Sequence, residues 1–224
     1  AQRAWADRGR FTWGNLTSIK EAVSLAVAAG KDPAKPPVLL ADLGDNPGAG
    51  GPGNTLWMLE ALYRAGANGA LVGGFWDPAL AARAHKLGVE ATFEAVFQGD
   101  NWGRSDSHFR APVRVVSLHN GQCVGRRGIN AGRTLNAGPT CLLELGSMMV
   151  TVISRSIMYN DPILIEMMGL KVADLRTLVV KSRGSYKVAF DEYFLPGQMI
   201  QVDTPGRTSP VLTRFSWKNL PRPV

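Results

Sequence analysis

The stretch PVLLADLGDNPGAGGPGNTLWMLEALYRAG, residues 37–66, decides the fold. Its first five residues form a continuous apolar run, the pattern of a strand buried on both faces. Its last twelve carry Leu56, Leu59, Leu62 and Tyr63 on one helical face, with Gly66 as a stop. Between them lie five glycines, two prolines, two aspartates and two asparagines. A strand that passes through such a loop into a helix is the basic unit of a parallel α/β sheet.

The flanking sequence repeats the alternation. Residues 18–29 show helical spacing at Ile19, Ala22, Val23, Ala26 and Val27, with Gly30 as the expected stop. Residues 70–75 predict a second buried strand. Asp77 and Pro78 then predict an N-cap followed by the first helical residue, opening a helix that ends at Gly88. Asn54 is the expected N-cap of the helix after the glycine loop.

The second half changes character. Residues 89–100 and 113–124 read as strands, with Asn120-Gly121 as a hairpin turn, and 141–154 is strand-rich. A short helix over 162–168, a buried strand over 175–182 and a last strand near 198–206 follow, and Pro221 and Pro223 close an extended tail. The expected fold is α/β: a mostly parallel sheet flanked by helices, with some antiparallel hairpins in the second half. Residues 1–35 read as an N-terminal helical arm and 36–224 as the α/β domain.

Composition narrows the function. The chain has 224 residues, 45% hydrophobic and 19% charged, enough for a substantial core. No apolar stretch approaches a membrane span, and neither a signal peptide nor an initiator Met is visible. The missing Met suggests processing or a piece of something longer. The net charge of +7 comes from scattered Arg and Lys, without a nucleic-acid motif, so no nucleic-acid or membrane partner is expected. Two cysteines, Cys123 and Cys141, form no disulfide framework and suggest a reducing, cytoplasmic setting.

The glycine loop is the first candidate site. Backbone N–H groups at a helix N-terminus suit an anion, and glycine lets a ligand approach the backbone. No Walker lysine or dinucleotide spacing is present, and Asp42 and Asp45 would repel phosphate. The carboxylates suit a cation, a substrate ammonium, or the loop's own N–H groups through Asx-type turns at Asp45 and Asn46. Gly48, Gly50, Gly51, Asn54 and Thr55 complete this candidate. Lys181, Ser182 and Asp203 stand at later strand ends, where α/β proteins bind ligands. Arg155 and Asp161 are spaced for a local ion pair. His85, His108 and His119 show no metal-ligand spacing, so no catalytic or metal-binding residue is expected within this chain.

Taken in order, ADLGDNPGAGGPGNT, FWDPALAARAHKLGVEAT, VVKSRGSYKVAF, VDTPG and the closing RPV resemble the C-terminal domain of the MlrC, or microcystinase C-like, metallopeptidases. The likeness runs from Trp5 to Val224. It implies a two-domain peptidase or amidohydrolase acting on small or modified peptides, with zinc held by His and Asp of an N-terminal catalytic domain. This chain would shape the substrate cleft, and homo-oligomerisation is left open. Two positions depart from the family. Asn54 replaces its usual Asp, a change a helix cap would tolerate and a general base would not. Ser185-Tyr186-Lys187 stands where the family commonly has His-Phe-Arg. Two other classes remain: a non-catalytic assembly module, favoured by an apolar face around Trp5, Phe11 and Trp13, and an anion-binding module.

Overall fold

The computed structural model describes residues 2–10, 14–100, 102–103 and 106–219. The chain opens with the exposed helix α1 (Gln2–Ala6). The Arg8 guanidinium lies 4.3 Å from the centre of the Trp5 ring. Phe11, Trp13 and the tail prolines fall outside the described residues. Strand β1 (Thr17–Ser18) then joins the sheet edge, and helix α2 (Ile19–Lys31) lies on the sheet face. Ser18 Oγ accepts the Glu21 N–H at 3.2 Å, and the Glu21 carboxylate accepts the Ser18 N–H at 3.0 Å. This reciprocal cap starts α2 where the helical spacing begins.

Helix α2 does not stop at Gly30. It runs to Lys31, with Asp32 as its C-cap. Gly30 serves close packing instead: a Cβ there would sit 2.4 Å from the Asn68 carbonyl oxygen. Strand β2 (Val38–Asp42) follows, buried throughout. Val38 and Leu40 face one core, and Leu39 and Ala41 face the other. With apolar groups needed on both sides, the period of two is hidden and the run reads as continuous.

After the glycine loop comes α3 (Trp57–Arg64), whose N-cap position is Leu56 and has no side-chain cap. The expected cap, Asn54, instead donates from Nδ2 to the Gln98 carbonyl at 3.1 Å. The reason is tertiary: Asp45 claims the Gly53 and Thr55 N–H groups, each at 2.7 Å, so the helix begins two residues beyond Thr55. Strand β3 (Ala70–Trp76) leads to α4 (Pro78–Leu87), where Asp77 caps as expected, accepting the Leu80 N–H at 2.9 Å. Its second oxygen accepts the Gln98 N–H at 3.0 Å. Asp77→Ala removes both bonds from a buried position, and a loss of about 2 kcal/mol should appear in urea unfolding.

Strands β4 (Thr92–Gln98) and β5 (His108–His119) pair antiparallel. Asn120-Gly121 does not close a hairpin between β5 and β6 (Gln122–Val124). Strand β5 already lies between β4 and β8 (Thr140–Leu145), so β6 pairs with β7 (Thr134–Asn136) in a separate ribbon. Gly121, at φ 78°, redirects the chain, while Asn120 Oδ1 accepts the Gln122 N–H at 3.0 Å. Strands β8 and β9 (Met148–Ile153) form a hairpin turning at Gly146, φ 62°. Helix α5 (Ile163–Glu166), strand β10 (Thr177–Val180), helix α6 (Tyr186–Ala189) and strand β11 (Met199–Asp203) complete the chain.

The nine-stranded sheet has the order β1-β11-β2-β10-β3-β9-β8-β5-β4. The neighbours from β1 to β9 are parallel, and those from β9 to β4 are antiparallel. Residues of α2, α3 and α4 share one core with one sheet face. Leu164, Ile165, Tyr186 and Phe190 of the α5 and α6 segments fill the core on the other. The protein is thus a three-layer α/β structure with antiparallel strands at one side. No helix among the described residues is long and apolar enough to cross a membrane.

Candidate functional site

The site is built at the carboxyl ends of the parallel strands, where strand order decides which side chains meet. Strand β10 lies beside β2 with Val180 opposite Ala41, so Lys181 emerges beside Asp42. Lys181 Nζ lies 2.9 Å from Asp45 Oδ2 and 3.2 Å from Asp42 Oδ2. It also reaches Thr55 Oγ1 at 3.0 Å and the Thr55 carbonyl at 3.1 Å. The Lys181 side chain is 3% exposed and both carboxylates are fully buried.

Two carboxylates around one ammonium leave an excess negative charge in the interior, and burial alone would make that costly. Hydrogen bonds supply the compensation. Asp42 Oδ1 accepts the Thr204 hydroxyl and, at 3.2 Å, the Gly44 N–H. Burial pushes the Asp45 carboxyl up, but Lys181 and the Thr55 and Gly53 N–H groups overcome it, so Asp45 titrates below its ordinary range. Burial pulls the Lys181 ammonium down, and Asp42 and Asp45 reverse this, holding it above its ordinary value. Asp45 and Lys181 are therefore both charged at neutral pH.

Asn46 organises the loop tip. Its Oδ1 accepts the Gly48 N–H at 2.9 Å, and its carbonyl accepts the Ala49 and Gly51 N–H groups, each at 2.9 Å. Its own N–H donates to Thr208 Oγ1 at 2.9 Å. Gly50 takes φ 90°, a conformation costly for any residue with a Cβ. The N–H groups of Gly44, Asn46, Gly48, Ala49, Gly50, Gly51, Gly53 and Thr55 all have partners within the chain. A phosphate would have to displace bonds already made rather than settle into a ready cradle. Gly48, Ala49 and Gly50 are exposed, so a rigid interior supports an accessible tip.

The remaining candidates fall into separate settings. Ser182 is buried, with its Oγ 3.1 Å from Ser185 Oγ. Ser185 Oγ accepts from Asn160 Nδ2 at 2.5 Å, and Asn160 Oδ1 accepts from Asn130 at 3.0 Å. Asp203 points to Arg214, with contacts at 2.5 and 2.7 Å, and takes no part in the Lys181 cluster. Asp161 does not pair with Arg155. It accepts the Arg126 and Arg127 N–H groups at 2.9 Å and that of Ile163 at 3.1 Å, which ties three backbone donors to one buried carboxylate.

Thr204, Thr208, Asn130 and Asn160 hold the site together and gave no sequence signal, since their partners are remote in the chain. Asn160 and Asn130 are thirty residues apart, and Thr208 and Asn46 are 162 apart.

Among the described residues, no group of three or more His, Cys, Asp or Glu could hold a metal ion. His85 Nε2 lies 3.0 Å from the Thr140 carbonyl, and His119 Nδ1 accepts the Gly121 N–H at 3.0 Å. Cys141 is buried and its thiol is pushed up to about 12, first by burial and then by Asp77, so it is no thiolate nucleophile.

The fold and site together define an α/β domain whose glycine loop and Lys181 meet at the carboxyl ends of the parallel strands. The sequence model of the MlrC C-terminus matches residues 40–219, and the chain belongs to that family. A crystal structure of a protein from Mesorhizobium sp. BNC1, assigned as a metallopeptidase, superposes with a TM-score of 0.81 at 23% identity. The superposition covers 97% of this chain and 42% of that one, so the chain spans less than half the length of its structural relative. At this identity the likeness speaks for the fold. No curated protein matches the chain.

Proposed function

We propose that the chain is the cleft-forming C-terminal domain of a zinc-dependent peptidase or amidohydrolase that acts on small or modified peptides. The observation that carries this reading is the MlrC C-terminus match over residues 40–219, which includes the glycine loop and the strand ends. Zinc would belong to a preceding catalytic domain, because the described residues here offer no donor set that fits it. No chemical step is therefore assigned to a residue of this chain. The unpaired Cys123 and Cys141 accord with a cytoplasmic setting.

In this reading residues 36–224 form the domain proper, and residues 1–35 are an arm that lays β1 and α2 against it. The exposed tip at Gly48, Ala49 and Gly50, held by the buried Asn46 and Gly51, faces substrate, with Ser182, Asn54 and Asp203 at the flanks. Asp42, Asp45, Thr55 and Lys181 position that tip from inside. A substrate-facing loop held rigid before binding loses little entropy on complex formation.

The test uses the full-length protein. Chelation should abolish peptide hydrolysis and zinc should restore it. Asp45→Asn should lower kcat/KM about tenfold or more while the zinc content stays unchanged. Hydrolysis that survives complete metal removal would overturn the metallopeptidase reading. An unchanged kcat/KM in correctly folded Asp45→Asn would remove the glycine loop from the site.

A further inference from the structure

A second concavity, sharing no lining residue with the glycine-loop cluster, lies where the first residues of β11 run beyond the end of β1. Among the described residues β1 pairs with Val202 and Asp203, and Met199, Ile200 and Gln201 lie ahead of that pairing. The cavity there has a volume of about 380 Å³. Phe194, Leu195, Pro196, Met199 and Ile200 make its walls apolar, and Tyr186 lines it as well.

Tyr186 is the informative residue. Its side chain is fully buried, yet among the described residues its hydroxyl has no partner at hydrogen-bond geometry. The Gln201 carboxamide is near enough to pull on its titration without meeting hydrogen-bond geometry, while burial raises its pKa. A buried hydroxyl left unsatisfied is unfavourable, so a ligand that accepts its proton would recover that energy. An apolar cavity with one unsatisfied donor is also the common form of a small-molecule site. Charge at the mouth is largely neutralised, because Asp191 is engaged by Arg127. Among the described lining residues, Lys187 adds an exposed ammonium.

We propose that this cavity binds a small neutral molecule with a flat apolar body and a terminal carbonyl acceptor. The body lies on Phe194 and Ile200, and the carbonyl accepts from Tyr186 with Gln201 beside it. The inference stands apart from the peptidase reading and needs neither metal nor hydrolysis.

Benzamide is the probe, and toluene, which keeps the ring and lacks the amide, is the control. In backbone amide NMR titrations of this chain, benzamide should shift the resonances of Met199, Ile200, Gln201 and Lys187 saturably, with toluene at least tenfold weaker. Tyr186→Phe should reduce benzamide affinity about tenfold and leave toluene unchanged. The Tyr186→Phe variant should keep its fold, because only the unpartnered hydroxyl is removed. No saturable shift at millimolar benzamide would overturn the proposal. Equal binding of the two probes, or undiminished benzamide binding to Tyr186→Phe, would also overturn it, because the hydroxyl would then recognise nothing.

Discussion

Lys181→Met should lower the unfolding free energy by about 3–5 kcal/mol, because it strands two buried carboxylates without their counter-ion. For a chain of this length that corresponds to a fall in Tm of roughly 10 °C. Methionine nearly preserves the volume, so the loss is electrostatic rather than a cavity effect. The pH dependence identifies the cause. In the native protein Asp45 titrates below its ordinary value of 3.8, so its contribution is present above about pH 4 and is lost as pH falls through the folded value. Lys181 titrates above its ordinary 10.5, so its contribution is present below that pH and is lost as pH rises through the folded value. Between pH 5 and 7 neither Asp45 nor Lys181 adds slope in the native protein.

The variant reverses the sign. Without the ammonium, burial dominates and raises the folded pKa of the carboxylates above the unfolded value. Stability should then increase as pH is lowered from 7 to 5. Urea unfolding at both pH values measures this, and a flat profile in Lys181→Met would show that the carboxylates do not depend on Lys181.

Gly206→Ala should cost about 3 kcal/mol, near the upper end of what overpacking usually costs. A Cβ at this position would lie 2.1 Å from the Gly44 carbonyl oxygen and 2.6 Å from its carbon. The obstacle is backbone, which cannot rotate away as a side-chain end would. Gly44 offers the reciprocal contact, since its own Cβ would sit 2.3 Å from the Thr204 carbonyl oxygen. The chain after β11 and the chain after β2 therefore touch backbone to backbone. Separating them pulls Thr204 from Asp42 and Thr208 from Asn46. Chemical denaturation reads the stability loss, and faster amide exchange at Asn46 reads the loosened loop. A variant as stable as the parent would mean that this contact yields without cost.

Much of the architecture was legible because its signals are local. The buried runs at 38–42 and 70–76 and the Asp77-Pro78 cap depend on neighbours within a few residues. Asn54 and Asn120-Gly121 misled for the same reason in reverse. Each carries a good local signal that a remote partner overrides: Asp45 takes the N–H groups ahead of α3, and β8 occupies the edge of β5 that a hairpin would need. Gly30 resembles a helix stop in sequence and is a packing contact in space.

By itself, the sequence determined the alternation of strands and helices, the concentration of glycine and carboxylate after β2, and the position of Lys181 at a strand's carboxyl end. Tertiary structure alone decided that Lys181 meets Asp42 and Asp45, because their strands become neighbours across a separation of 139 residues. Periodicity records which face of an element is buried and is written into adjacent residues. Strand order depends on the free energy of the whole sheet, and no short stretch of chain contains it.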